Sequence, residues 1–295
     1  MSDPSGATTS LLEPRFLRLL GRLAVQIQGR VRGDRRGERR SSRRGVGGEF
    51  VDVRPYTPGD DLRHLDWHLY ARLDALLVRL YEAQEEHTVH ILLDTSASMG
   101  CGKGLYSKQL AAALGYLALA SSDTVGLYAM TGQIDARVGP LRGKGAAHRV
   151  FDFLDRVSFE GPTGLERSVR EFAGSRRRGT AVLISDFLIP DRRVEVLSTL
   201  ARAQMRVAVL HVLSGEERDP QEGEELTLID AETGEEMVVS VDRRVRRAYL
   251  GQLAAMTGEL REACRSYGFA FIEVDSRTPL EALVLGELRQ GGLVG

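Results

Sequence analysis

Asp94, Ser96 and Ser98 stand at alternate positions directly after the apolar run Val89-His90-Ile91-Leu92-Leu93, in the segment HILLDTSASMG. One carboxylate and two hydroxyls so spaced are hard oxygen donors. Magnesium takes near-octahedral oxygen coordination and usually keeps several waters. A D-x-S-x-S loop supplies part of such a shell and leaves a position open. The same side chains also cap helices, because Ser and Asp accept free backbone N–H groups of a first turn. These five residues alone do not choose between a metal loop and a capped turn. The run before them is rich in strand formers, and in an open parallel sheet ligands bind beyond the carboxyl ends of the strands.

Two later segments decide the matter. Phe159-Glu160-Gly161-Pro162-Thr163-Gly164-Leu165 places a hydroxyl ahead of a helix, and Ala181-Val182-Leu183-Ile184-Ser185-Asp186-Phe187 is a second buried strand ending in Asp. The order D-x-S-x-S, Thr, strand-Asp resembles the metal-ion-dependent adhesion site of the von Willebrand factor type A fold. The resemblance implies a magnesium or manganese ion held by Asp94, Ser96, Ser98, Thr163 and Asp186, with an open position for a carboxylate from a partner. In one respect the chain departs from that pattern: Gly164 follows the Thr where the family often has Asp or Asn, and outer residues of that kind tune metal affinity.

The segment before the first strand narrows the resemblance. Gly48-Glu49, Arg54-Pro55-Tyr56, Pro58-Gly59-Asp60-Asp61, Arg63, Asp66-Trp67, Ala71-Arg72 and Tyr81-Glu82 look like the signature of the family called domain of unknown function 58, whose members join it to a type A domain. The resemblance covers about residues 45 to 290. It implies a MoxR-type AAA+ ATPase as partner, since members are often encoded beside one. Physically, Pro55 and Pro58 stiffen the chain, Gly59 allows a tight turn, and Asp60 or Asp61 is expected to cap a short helix carrying Arg63, Asp66, Trp67 and Arg72. Such dense charge suits an internal clamp onto the main domain or a partner surface, and Arg54, Tyr56, Asp60, Asp61, Arg63, Asp66, Trp67 and Arg72 are its candidate residues.

Other chemistries fit less well. A haloacid-dehalogenase-like phosphatase needs D-x-D, and position 96 is Ser, so no acid is placed to protonate a leaving group. Neither a G-x-S-x-G elbow nor a Walker loop is present. His64 and His68 have the spacing of a zinc pair, but Leu65 fills the place of the general base, and they read as structural or surface residues. Cys101 and Cys264 form no metal motif and no disulfide framework.

A formal net charge of −1, with 42% hydrophobic and 27% charged residues, suits a globular chain and gives no bulk field for nucleic acid. No apolar run is long enough for a transmembrane helix. The N-terminus lacks a basic start followed by an apolar core, so no signal peptide is expected, nor the membrane helices that many relatives carry before the signature. The expected compartment is the cytoplasm. Leu12, Phe16, Leu19, Leu20, Leu23 and Ile27 recur at helical spacing and predict an amphipathic helix over 11–30. Its stripe is expected to dock on the main domain; the alternative is contact with an anionic membrane surface or a partner groove. Arg30 to Arg44 contains eight arginines and reads as a solvated linker.

These readings give three regions: a helix with an Arg-rich linker (1–45), a signature segment packed on the main domain (46–87), and a type A-like domain (88–295). The expected fold class is α/β, a mainly parallel doubly wound sheet with helices on both faces. Strands are expected at 124–131, 134–139, 180–186, 206–213 and 269–274, with an inserted hairpin at about 225–241. Helices are expected at 107–120, 146–157, 164–174, 191–203, 242–266 and 279–289.

Overall fold

The computed structural model describes residues 11–34, 49–82, 87–162, 164–175, 177–189, 192–223, 225–229 and 236–290. In chain order the elements are α1 (Pro14–Asp34), β1 (Glu49–Pro55), a 3-10 turn (Leu62–His64), α2 (Trp67–Leu73), β2 (Leu77–Glu82), β3 (Thr88–Asp94), α3 (Ala97–Gly100), α4 (Gly104–Ala120), β4 (Thr124–Met130) and β5 (Ile134–Arg142). They continue with α5 (Ala147–Arg156), α6 (Leu165–Gly174), β6 (Thr180–Ser185), α7 (Arg193–Arg202), β7 (Arg206–Leu213), α8 (Gly215–Arg218), β8 (Glu225–Ile229), β9 (Glu236–Ser240), α9 (Arg243–Ser266), β10 (Ala270–Asp275), α10 (Leu280–Leu285) and α11 (Glu287–Gln290). The chain divides into two compact units, residues 1–32 with 87–295, and residues 33–86.

The larger unit is built on a six-stranded sheet of order β10-β7-β6-β3-β4-β5. All pairings are parallel except β4 with the edge strand β5. Side chains alternate across a strand, and each face therefore has its own core. Ile91, Leu93, Val125, Leu127, Val182 and Ile184 pack with helices α4, α5 and α10. Leu92, Tyr128, Leu183 and Val209 pack on the other face with α6, α7 and α9. The expected α/β fold with helices on both faces is the one observed. Helix α4 approaches α5 closely because its inner positions are small: a methyl at Gly115 would stand 3.1 Å from Val150 Cγ1.

Helix α1 joins the first of these cores. Leu12, Phe16, Leu20 and Leu23 are buried within it, and Gln109 Nε2 donates to the Leu11 carbonyl at 3.1 Å. Each such buried side chain contributes about 1.5–3 kcal/mol, which makes the apolar stripe a core element. The side chain of Ile27 and all of residues 35–48 lie outside the described residues. The hairpin β8–β9 pairs Glu225 with Ser240 through Ile229 with Glu236; its Glu232–Glu235 turn is also outside them. The final expected helix is two, α10 and α11, separated at Gly286, where a Cβ would meet the Ala282 carbonyl at 2.9 Å. Among the described residues no helix is long and apolar enough to cross a membrane.

The smaller unit contains an antiparallel pair, β1 with β2, that helical reading of the signature segment does not anticipate. Leu65 bridges Val78 in extended geometry, so the expected single helix is divided. Asp61 caps the 3-10 turn by accepting from Arg63 N, and Asp66 caps α2 by accepting from His68 N and Leu69 N.

Candidate functional site

The chain turns one way after β3, towards β4, and returns on the other side through β6. The β3/β6 boundary is therefore the switch point of the sheet, where loops diverge and leave a crevice. The register pairs Leu93 with Ile184, which brings Asp94 and Ser185-Asp186 to the same end of adjacent strands. All three are buried to within 1% of full burial.

Asp94 is held by two donors. Ser96 N donates to Oδ1 at 3.0 Å and the Ser185 hydroxyl to Oδ2 at 2.6 Å. Burial, then the charge of Asp186, pushes the Asp94 pKa up to about 6, against the pull of the two serines. Ser96 occupies the N-cap position of α3 but makes no side-chain cap bond. Its hydroxyl lies 3.2 Å from that of Ser98. Two adjacent ligands of an octahedral ion at 2.0–2.1 Å are about 2.9 Å apart, so the serine pair has the spacing of two cation ligands. Thr163 lies outside the described residues. Gly164 is set tightly: a Cβ there would fall 2.4 Å from Gly132 Cα. The Asp or Asn that the resemblance expects would not fit without moving backbone.

Asp186 follows β6. Its Oδ1 accepts from Leu188 N at 3.1 Å, and its carbonyl faces His211 Nε2 at 3.0 Å. Lys103 Nζ stands 3.0 Å from Oδ2 as an ion pair, yet that oxygen accepts no aligned hydrogen bond among the described residues. Lys103 is itself enclosed and also pairs with Glu217. Burial works against its charge, but Asp186 and Glu217 outweigh burial and raise its pKa. Glu217 is fixed by a capping box: its carboxylate accepts from Ser214 N at 2.7 Å, and its backbone N–H donates to the Ser214 hydroxyl at 3.1 Å.

With all four groups ionised, Asp94, Asp186, Glu217 and Lys103 sum to a formal charge of −2. A divalent cation would balance it, and the second Asp186 oxygen, paired with the Lys103 ammonium but accepting no aligned hydrogen bond among the described residues, is a place where such an ion could bind. The residues present fit magnesium or manganese on those two grounds. Among the described residues no group of three or more His, Cys, Asp or Glu is set to hold a metal, so the donor set depends on the serine hydroxyls.

A cavity of about 650 Å³ opens beside Thr95 and Glu160 and runs between β5 and α5. Its wall carries Arg137, Arg149 and Arg156, none of which meets a carboxylate at ion-pair distance among the described residues. Asp135, Asp152 and Glu160 lie on the same wall, and Asp135 is taken up by the Thr131 N–H and hydroxyl.

The signature residues gather in the smaller unit. Arg54 grips Asp60 with two bonds of 2.7 Å, which holds the Asp60 carboxyl well below its usual range. Arg63 pairs with Asp61 at 2.8 Å. Asp66 accepts from Arg79 Nε at 2.8 Å, and Arg79 first, aided by the cap bonds, draws its pKa down to about 2. The backbone N–H of Tyr56 donates to the Leu76 carbonyl at 2.8 Å. Arg72 is exposed at the end of α2, and Trp67, 61% exposed, meets Tyr70 edge to face. The Asp60 and Asp66 pairs hold this unit's own turns.

Sequence reasoning missed Lys103, Ser185, Glu217 and Arg79. The S-G-E-E capping box at 214–217 carried a readable signal. Lys103 carried none, because a Lys beside two glycines reads as exposed.

Relatives at full length include the uncharacterized protein Rv1480 of Mycobacterium tuberculosis, 26% identical over 305 residues and covering 99% of this chain and 96% of its own. The matching protein of Mycobacterium bovis shows the same figures. Among solved structures, the conserved hypothetical protein BatB from Bacteroides thetaiotaomicron is 18% identical with a TM-score of 0.43, covering 70% of this chain and 99% of its own. An aerotolerance-related membrane protein from Bacteroides fragilis is 18% identical, again with a TM-score of 0.43, covering 68% and 97%. The family described as "Protein of unknown function DUF58" matches residues 52–258, most of the chain, and the chain belongs to that family.

Proposed function

We propose that this protein is a non-enzymatic, divalent-cation-dependent protein-interaction module. Its ion, magnesium or manganese, would be held by Asp94, Ser96, Ser98, Thr163 and Asp186. The observation that carries the reading is the Asp186 carboxylate: fully buried at a switch point, beside a second buried carboxylate, with one oxygen that pairs with Lys103 but accepts no aligned hydrogen bond among the described residues. The Lys103 ammonium offsets part of its charge at 3.0 Å without an aligned hydrogen bond, and a divalent cation would complete its coordination. The bound ion would supply charge and an open coordination position. The chain's part is to orient donors: Ser96 N and Ser185 aim Asp94, and Leu188 N aims Asp186.

The group received at the open position is an Asp or Glu side chain of a partner, with a MoxR-type AAA+ ATPase, the partner implied by the family resemblance, as the proposed source. The cavity beside Thr95 offers room for a flanking segment, and its wall, with Arg137, Arg149 and Arg156 beside Asp135, Asp152 and Glu160, suits one of mixed charge. Phosphate hydrolysis has less support, since position 96 carries a hydroxyl bonded to Ser98 where a phosphatase of that type needs an acid.

Magnesium or manganese should raise the melting temperature of the wild type by ligand linkage. Asp94→Ala should abolish that rise with the fold retained. Equal metal affinity of wild type and variant in calorimetric titration defeats the reading.

A further inference from the structure

We propose that Lys103 is an internal counter-cation of this site and sets how tightly it holds a divalent ion. The inference rests on the metal-dependent reading above, and the test separates the two. Lys103 is not placed like a surface lysine. Its side chain is fully enclosed, 3.0 Å from Asp186 Oδ2 and paired to Glu217. The chain around it is fixed from three sides. Gly102 packs on Ser214, the Gly102 carbonyl accepts from the Ser276 hydroxyl at 3.4 Å, and Ser107 N donates to the Lys103 carbonyl at 2.9 Å.

An enclosed ammonium costs much free energy unless its partners repay it. A core that needed only to pack would carry an apolar residue here. What Lys103 does instead is electrostatic. It neutralises one of the three carboxylates and leaves the cluster at a formal −2, the charge one divalent ion balances. Without it the cluster is −3, and a cation is attracted more strongly. Without Glu217 the cluster is −1 and Lys103 belongs to Asp186 alone, so a cation is attracted less. The predicted affinity order is Lys103→Met above wild type above Glu217→Gln. Each step should be about 10- to 100-fold, the usual effect of outer-sphere groups on metal affinity.

A merely structural Lys103 makes a different prediction. Its loss would loosen the loops, lower stability and weaken the metal site along with it. Stability and affinity moving in opposite directions mark the electrostatic role. Glu217→Gln preserves the capping box, because Gln serves as well as Glu at that position.

The experiment is calorimetric titration of the full chain with magnesium chloride and with manganese chloride, alongside thermal melts, for wild type, Lys103→Met and Glu217→Gln. The expected result is a less stable Lys103→Met that binds more tightly, and a Glu217→Gln that binds more weakly. Binding by Lys103→Met alone would also support the inference, while overturning a metal-dependent function for the wild type. Binding by wild type with equal or weaker binding by Lys103→Met would overturn the inference and leave the function standing. No binding by any of the three overturns both. Should Lys103→Met fail to fold, Glu217→Gln decides, and unchanged affinity there defeats the proposal.

Discussion

Asp66 and Asp94 do the same local job in the two units. Each accepts the backbone N–H two residues ahead, and each is nearly buried. Their surroundings then diverge. Asp66 gains the Arg79 guanidinium and a second backbone donor, and its pKa falls to about 2. Asp94 gains one hydroxyl, lies deeper and faces Asp186, and its pKa climbs to about 6. The smaller unit uses its carboxylate for its own stability. The larger unit holds a carboxylate in an environment that opposes its charge, an arrangement typical of sites kept for a ligand.

The largest expected effect tests that contrast by sign. Asp94→Asn removes a charge that burial and Asp186 disfavour, while the amide oxygen still accepts from Ser96 N. Without added cation at pH 7.5 the variant should be more stable than wild type, by about 1–3 kcal/mol at the scale usual for point substitutions, because burial and the charge of Asp186 disfavour the folded carboxylate. The folded carboxyl holds its proton up to about 6 and the unfolded one only to 3.8. Wild-type stability from this group therefore falls as pH rises through that window. The advantage of the variant should be full above pH 6 and vanish below about 4. His90, whose pKa is lowered by burial, acts equally in both proteins and cancels. Urea unfolding from pH 4 to 7.5 reads the difference, and a variant less stable at every pH would refute the contrast.

A smaller effect of opposite sign belongs to the other unit. Asp66→Asn loses its charge pairing with Arg79 and should weaken the smaller unit at neutral pH. Asp66 is depressed in the fold, so its contribution is present above pH 3.8 and is lost as pH falls towards 2. The chain has one tryptophan, and it is Trp67, beside Asp66. Acid titration followed by its fluorescence should show the transition of Asp66→Asn shifted to higher pH. Identical transitions would mean that the Asp66–Arg79 pair does nothing for the unit.

How much of this could be read in advance differs between the regions for a physical reason. The larger unit announced itself through periodicity: buried parallel strands are apolar runs, helices such as α9 begin at a capping Asp242, and both carboxylates end strands. The D-x-S-x-S loop is local in sequence, so its spacing was visible. Ser185, Lys103 and Glu217 meet only through tertiary structure, and Lys103 overrides the usual exposure of lysine by finding two acids. In the signature segment, charge and proline obscured the β1–β2 pair. Strand β1 alternates weakly, and its partner β2 begins only after the turns and short helices of residues 56–76. The arginine-rich run keeps its sequence reading alone, since residues 35–44 are outside the described structure.

The smallest expected effect concerns the surface of the smaller unit. Trp67, Leu73 and Leu62 are 61%, 61% and 58% exposed, and Tyr70 stands against Trp67 at 6.2 Å between ring centres. Exposed side chains already in water lose little when replaced, and surface substitutions usually stay within about 0.5 kcal/mol. Trp67→Ser and Leu73→Ser, each alone and together, should leave the urea midpoint of the protein almost where it was, as monitored by circular dichroism. Asp66→Asn, one residue from Trp67, should move it. That difference between neighbours separates groups that hold the turn from groups that merely sit on it. A midpoint shift for Trp67→Ser as large as that for Asp66→Asn would place the tryptophan among the stabilising contacts of the unit and remove the distinction drawn between its charged and apolar faces.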